Sequence, residues 1–232
     1  MNIKGIVFDK DGTLFDFQSS WGNTTFKFLQ TLSNGNIDVL AKLADELQFD
    51  LNKKVFYPKS IFIAGTTGET INLIKALMPE KKEEDILAMH AESYSNQKQV
   101  PIKDLFNILQ NLHDAGYLMS VATNDLVGPT IFQLREANIL RFFTYVIGAD
   151  SGYGAKPSPT QLRELEKRKG LKPSEILMVG DSTNDMIAAN RAGFRSFSVL
   201  TGVASISELK PFSEVVFEDI SYLFKWLEKQ NS

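Results

Sequence analysis

Short, mostly apolar runs that each stop at a turn or acidic residue are the strongest constraint on how this chain can fold. Ile3 to Phe8 ends at Asp9, Leu118 to Ala122 at Thr123-Asn124-Asp125, Tyr145 to Ile147 at Gly148, Ile176 to Val179 at Gly180-Asp181, and Ser196 to Leu200 at Thr201-Gly202. Val215 to Phe217 forms a last run. Runs of this length, rich in β-branched side chains, are what strands covered on both faces look like. Helical patterns lie between them. Lys103 to Ala115 sets Leu105, Phe106, Ile108, Leu109 and Leu112 on one face, and Thr130–Asn138, Pro159–Lys169, Asn184–Ala192 and Ile220–Lys229 read similarly. Strands alternating with helices predict right-handed crossovers and a doubly wound α/β domain, a Rossmann-like core with a mostly parallel sheet.

Residues 17–97 break the alternation. Helical patterns cover Thr24–Leu32, Ile37–Gln48, Thr67–Leu77 and Glu83–Ser95, with Thr66 and Glu69 placed as a capping box. The expected organisation is an α/β core of residues 1–16 and 98–232, with an all-helical cap domain of residues 17–97 inserted after the first strand. Trp21, Phe26 and Phe28 are expected in the core of that insertion. Phe56, Tyr57, Lys59 and the Thr66–Gly68 loop are candidates for its substrate-facing side. His90 and His113 are expected in packing or surface roles.

Charge and composition narrow the function. A net charge of −3 offers no electrostatic footprint for nucleic acid. The chain has no cysteine, which removes disulfides, thiolate metal sites and cysteine nucleophiles. No stretch approaches the ~20 apolar residues of a membrane span, and the first apolar run is too short for a signal peptide. A cytoplasmic protein with no nucleic-acid or membrane partner is the expectation; the oligomeric state is left open.

In open α/β sheets the ligand site lies beyond the carboxyl ends of the strands. Asp9 and Asp11 follow the first strand, Thr123 and Asn124 the second, and Asp181 a later one, with Asp185 in the first turn of the next helix. Lys156 sits in the loop after the third. An aspartate after a strand is ordinarily a turn residue or helix cap, and Ser182 or Thr183 could cap the helix bearing Asp185 with no chemical purpose. Together, however, four carboxylates in one crevice repel and call for a cation. Mg²⁺ takes oxygen ligands and leaves coordination room for a substrate phosphate oxygen. Lys156 and the amides near Asn124 are suited to the other phosphate oxygens.

Phe8-Asp9-Lys10-Asp11-Gly12-Thr13-Leu14 resembles the first signature of the haloacid dehalogenase superfamily, in its phosphatase branch. Val121-Ala122-Thr123-Asn124 resembles the second signature, Lys156-Pro157 the third, and Gly180-Asp181-Ser182-Thr183-Asn184-Asp185 the fourth. The helical insertion resembles the cap of phosphoglycolate phosphatase-like members. The resemblance implies a Mg²⁺-dependent phosphatase that cleaves a small phosphate monoester through an aspartyl-phosphate on Asp9. It implies Asp11 as acid and then base, and Asp9, the Asp11 carbonyl, Asp181 and Asp185 around the metal. It also implies Thr123 and the Asn124 amide on the phosphoryl oxygens, and Lys156 neutralising the phosphate and orienting Asp9. A sugar-phosphate mutase of the same fold and a catalytically idle binding protein are the alternatives. One departure stands out: Lys10 lies where many members carry an apolar residue, and strand alternation predicts a side chain directed away from the site.

Overall fold

The structure, a computed structural model, describes residues 3–57, 60–64, 67–95 and 97–231. The chain divides into two compact units, Met1–Asp16 with Val100–Ser232, and Phe17–Gln99.

The first unit opens with β1 (Gly5–Phe8), whose four residues are all buried. The second unit follows. It contains α1 (Phe17–Ser33), α2 (Ile37–Glu46), β2 (Phe49–Asp50), β3 (Val55–Phe56), α3 (Ile61–Ala64), α4 (Thr67–Leu77) and α5 (Glu83–Ser95). Its core gathers Phe28, Leu29, Leu32, Leu43, Phe49, Phe56, Ile74 and Ile86, with Trp21 and Phe26 packed against it. His90 belongs to the same packing, stacked on Tyr94 at 4.3 Å between ring centres. Among the described residues the insertion is helical apart from one small departure, an antiparallel ladder of two residues on each strand that pairs Phe49 with Phe56. Phe56, a candidate for the substrate-facing side, is therefore a core residue of its own unit. Tyr57 is exposed, and its hydroxyl donates to Asp50 Oδ2 at 3.3 Å. Lys59 and the Thr66 cap fall outside the described residues.

The chain then returns to the first unit through α6 (Leu105–Asp114), β4 (Leu118–Ala122), α7 (Val127–Glu136), β5 (Phe143–Ile147), α8 (Thr160–Lys169), β6 (Ile176–Gly180), α9 (Thr183–Ala192), β7 (Arg195–Val199), α10 (Ile206–Leu209), β8 (Val215–Phe217) and α11 (Leu223–Asn231). Six strands form one sheet in the order β5-β4-β1-β6-β7-β8. Every pairing in it is parallel. Because side chains alternate across a strand, β1 sends Ile6 and Phe8 into one hydrophobic layer and Val7 into the other. β1 is thus central, flanked by β4 and β6, and the chain leaves it at the carboxyl edge through Asp9. Among the described residues no helix is long and apolar enough to cross a membrane.

Phe197 is fully buried in β7, stacked on Phe217 at 5.0 Å and edge-on to Trp226 at 5.4 Å between centres. Truncating such a side chain removes its transfer energy and leaves a cavity. Phe197→Ala is expected to cost about 3–5 kcal/mol, read by urea denaturation. A loss under about 1 kcal/mol would show that the layer collapses around the gap.

Candidate active site

Asp9 is placed by the sheet. Its amide donates to the Val179 carbonyl at 2.9 Å, extending the β1–β6 ladder one residue past Phe8. Asp181, immediately after β6, then stands beside it, and Asp185 reaches back from the first turn of α9. One carboxylate oxygen from each of Asp9, Asp181 and Asp185 lies within 4.8 Å of the others, and all three residues are buried. Lys156, buried as well, points its ammonium into this group. Its Nζ lies 2.5 Å from Asp9 Oδ1, 2.6 Å from Asp185 Oδ1 and 2.8 Å from the Ala122 carbonyl oxygen.

The charges do not balance, since three carboxylates face one ammonium away from water. Burial pushes the Asp9 pKa up to about 6 even though Lys156 pulls it down, with Asp185 adding repulsion. Burial, and then the charges of Asp9 and Asp185, hold Asp181 well above the ordinary carboxylate range. Lys156 is raised as well: burial disfavours its charge, but Asp185 and Asp9 outweigh that. Asp185 Oδ1 is also buried, with the Lys156 ammonium as its close ionic contact. An all-oxygen donor set and surplus buried negative charge together fit a hard divalent cation.

Several neighbours hold these groups. Asp185 Oδ2 accepts from the Ser182 amide at 3.1 Å and hydroxyl at 2.6 Å, a capping box at the start of α9. One oxygen of Asp185 therefore closes the helix cap, and the other faces Lys156. Asp181 is received by a recess with two glycines in its wall. A Cβ on Gly12, which has φ +81°, would lie 2.4 Å from Asp181 Oδ2, and one on Gly202 would lie 1.7 Å from it. Thr13 donates to Asp181 Oδ1 at 3.3 Å, and Thr201 donates to the Gly12 carbonyl at 2.6 Å. The Asn124 side chain clamps the Lys156 main chain, accepting from its amide at 2.8 Å and donating to its carbonyl at 2.9 Å.

Of the residues expected from sequence, Asp9, Lys156, Asp181 and Asp185 are drawn together. The Thr123 hydroxyl oxygen accepts the Asp125 amide at 3.1 Å, and its carbonyl accepts Gln161 Nε2 at 3.2 Å. The Asp11 carboxylate takes a partner that the sequence reading did not foresee: Asp11 Oδ2 is 2.8 Å from Lys10 Nζ. Lys10 does not simply turn away from the site. It is fully buried, and its ammonium also lies 3.1 Å from Asp125 Oδ2 and donates to Gln133 Oε1 at 2.5 Å. Burial disfavours its charge, but Asp11 and Asp125 prevail and hold its pKa above the usual value. Gly12, Thr13, Thr201 and Gly202 were not singled out either. Thr201-Gly202 carried a usable signal, because it closes a strand run at the same edge as the acids.

A buried cluster of three carboxylates, only partly offset by one lysine, thus stands at the carboxyl edge of the parallel sheet of a doubly wound fold. Residues 6–199 match the family described as haloacid dehalogenase-like hydrolase, and the chain belongs to that family. It is an enzyme of the phosphatase class. It is 28% identical over 211 residues to a phosphoglycolate phosphatase of Vibrio parahaemolyticus, covering 87% of this chain and 85% of the relative. It is 27% identical over 215 residues to the pyrophosphatase PpaX of Bacillus velezensis, covering 90% of each. Among solved structures, a Thermotoga maritima protein provisionally described as a beta-phosphoglucomutase superposes with a TM-score of 0.76 at 15% identity, over 98% of this chain and 99% of that one. At that identity the likeness speaks for the fold alone.

Two outcomes are expected. Gly202→Ala forces Asp181 out of its recess and should weaken divalent-cation binding by about 10–100-fold, as losses beside metal ligands do, with the far-ultraviolet circular dichroism spectrum retained. Unchanged affinity in a Mg²⁺ titration would contradict the recess. The second outcome concerns pH. Asp9 and Asp181 have folded-state pKa values above their unfolded ones, so without cation the folded state loses stability as pH rises through about 6. A cation needs the deprotonated forms. The rise in Tm on adding Mg²⁺ should therefore be larger at pH 7.5 than at pH 5.5, and equal increments in thermal melts would refute the assignment.

Proposed function

We propose that this phosphatase is Mg²⁺-dependent and hydrolyses a small phosphate monoester through a phosphoryl group carried on Asp9. The observation that supports this most is the contact of the Lys156 ammonium with Asp9 Oδ1 at 2.5 Å inside the buried carboxylate group. Asp9 attacks phosphorus; the new Asp9–phosphorus bond forms as the bond to the leaving oxygen breaks, and Asp11 donates a proton to that oxygen. Asp11, now a carboxylate, takes a proton from water, which attacks the same phosphorus and frees Asp9 and inorganic phosphate. Lys156 fixes one oxygen of Asp9 and offsets phosphate charge, and the Thr123 hydroxyl and Asn124 amide bind the other phosphoryl oxygens. Asp9, the Asp11 carbonyl, Asp181 and Asp185 are the residues that would hold Mg²⁺. When bound, the ion supplies positive charge beside the transferring group.

Residues 1–16 and 98–232 are assigned to catalysis, and residues 17–97 to a cap that sets specificity. The relatives of known name make phosphoglycolate the first substrate to try, with inorganic pyrophosphate next. The absence of cysteine accords with a cytoplasmic setting.

Hydrolysis of p-nitrophenyl phosphate should require Mg²⁺, with one inorganic phosphate released per turnover, which separates a phosphatase from a mutase. Asp9→Asn should reduce kcat by at least about 10³-fold in a protein that still folds, and Asp11→Asn should slow both chemical steps. Normal turnover by Asp9→Asn would end the nucleophile assignment.

A further inference from the structure

Lys10 lies between the two aspartates of the first loop, yet its side chain does not join the group around Asp9. It is entirely buried, an unusual state for lysine unless its charge is met. An ammonium carries three donors and no acceptor, and here it meets three oxygens from three parts of the first unit. These are Asp11 Oδ2 at 2.8 Å in the loop after β1, Asp125 Oδ2 at 3.1 Å in the loop after β4, and Gln133 Oε1 at 2.5 Å on α7. The main chain of Lys10 anchors the same loop, its carbonyl accepting from the Leu14 amide at 2.9 Å and the Phe15 amide at 3.2 Å.

The second partner is itself held. Asp125 Oδ1 accepts the Leu126 amide at 2.8 Å, at the start of α7, and the Asp125 amide donates to the Thr123 hydroxyl oxygen at 3.1 Å. A continuous chain of contacts thus runs from the Asp11 carboxylate through Lys10 and Asp125 to Thr123.

We propose that Lys10 is a positioning residue for this reaction: with Asp125 and Gln133 it sets where the Asp11 carboxylate stands, and it ties that position to the turn bearing Thr123. The inference rests on the proposed acid and base roles of Asp11. It differs from a purely structural ion pair in one respect. Displacing Asp11 harms proton delivery to the leaving group, and the harm must scale with how much the leaving group needs that proton. Phenol needs it more than p-nitrophenol.

The test uses the full chain with saturating Mg²⁺ and compares kcat/KM for phenyl phosphate and p-nitrophenyl phosphate, which reports the steps through departure of the alcohol. Lys10→Met should lower kcat/KM for phenyl phosphate on the order of 10–100-fold, and for p-nitrophenyl phosphate by less than about threefold, within the span of general acid catalysis. Asp125→Asn and Gln133→Met should shift the ratio in the same direction by smaller factors. Should Lys10→Met fail to fold, those two variants decide the matter. Equal losses on both substrates, or a wild-type ratio in all folded variants, overturn the proposal. Asp11→Asn is the control. If it leaves the ratio unchanged, the reading of Asp11 as proton donor has failed, and the role given to Lys10 falls with it. If it changes the ratio while the Lys10, Asp125 and Gln133 variants do not, only the role given to Lys10 is lost.

Discussion

The first unit holds a charge imbalance that the fold creates and does not itself resolve. Asp9, Asp181 and Asp185 are withdrawn from water within a few ångströms of one another, and Lys156 pairs with Asp9 and Asp185. Burying like charges is unfavourable unless they are protonated or compensated, and the raised values of Asp9 and Asp181 express that tension. The carboxyl edge of the sheet tolerates it because each acid is anchored by backbone. Asp9 is held by its amide in the β1–β6 ladder, Asp181 by the glycine-walled recess, and Asp185 by its helix cap.

The sheet order explains why these residues meet. β1 is central, with β4 and β6 in register on either side, so the residues after the three strands emerge at adjacent points. Lys156 arrives by a different route, from the loop between β5 and α8, and needs the Asn124 clamp to hold its main chain. Asn124 therefore contributes through its side chain by fixing the lysine loop, a task distinct from the amide role that the family resemblance suggested.

The core strands and most helices were legible because burial on both faces of a parallel sheet leaves apolar runs and amphipathic crossovers leave a 3.6-residue period. The acids were legible because they close those runs. Other features left no pattern. α1 begins at Phe17 and not at Thr24, since Ser19, Ser20, Gly22 and Asn23 are weak helix formers; packing of Phe17 and Trp21 in the insertion overrides that weakness. The β2–β3 ladder, α3 and α10 are too short to show a period. The destination of Lys10 was hidden because its partners Asp125 and Gln133 are remote in sequence, and alternation fixes the direction of a Cβ but not the reach of a four-carbon stem.

Asp185 divides its two oxygens between separate tasks, one closing the first turn of α9 and the other facing Lys156. Secondary structure and chemistry are thus soldered at a single side chain. Glutamate, one methylene longer, cannot keep both appointments with the backbone where it stands, and asparagine offers only one acceptor oxygen. Evolution or design can remodel the surroundings of this centre more freely than it can exchange this aspartate, because any replacement perturbs the start of a helix and the electrostatics of the cleft in one stroke.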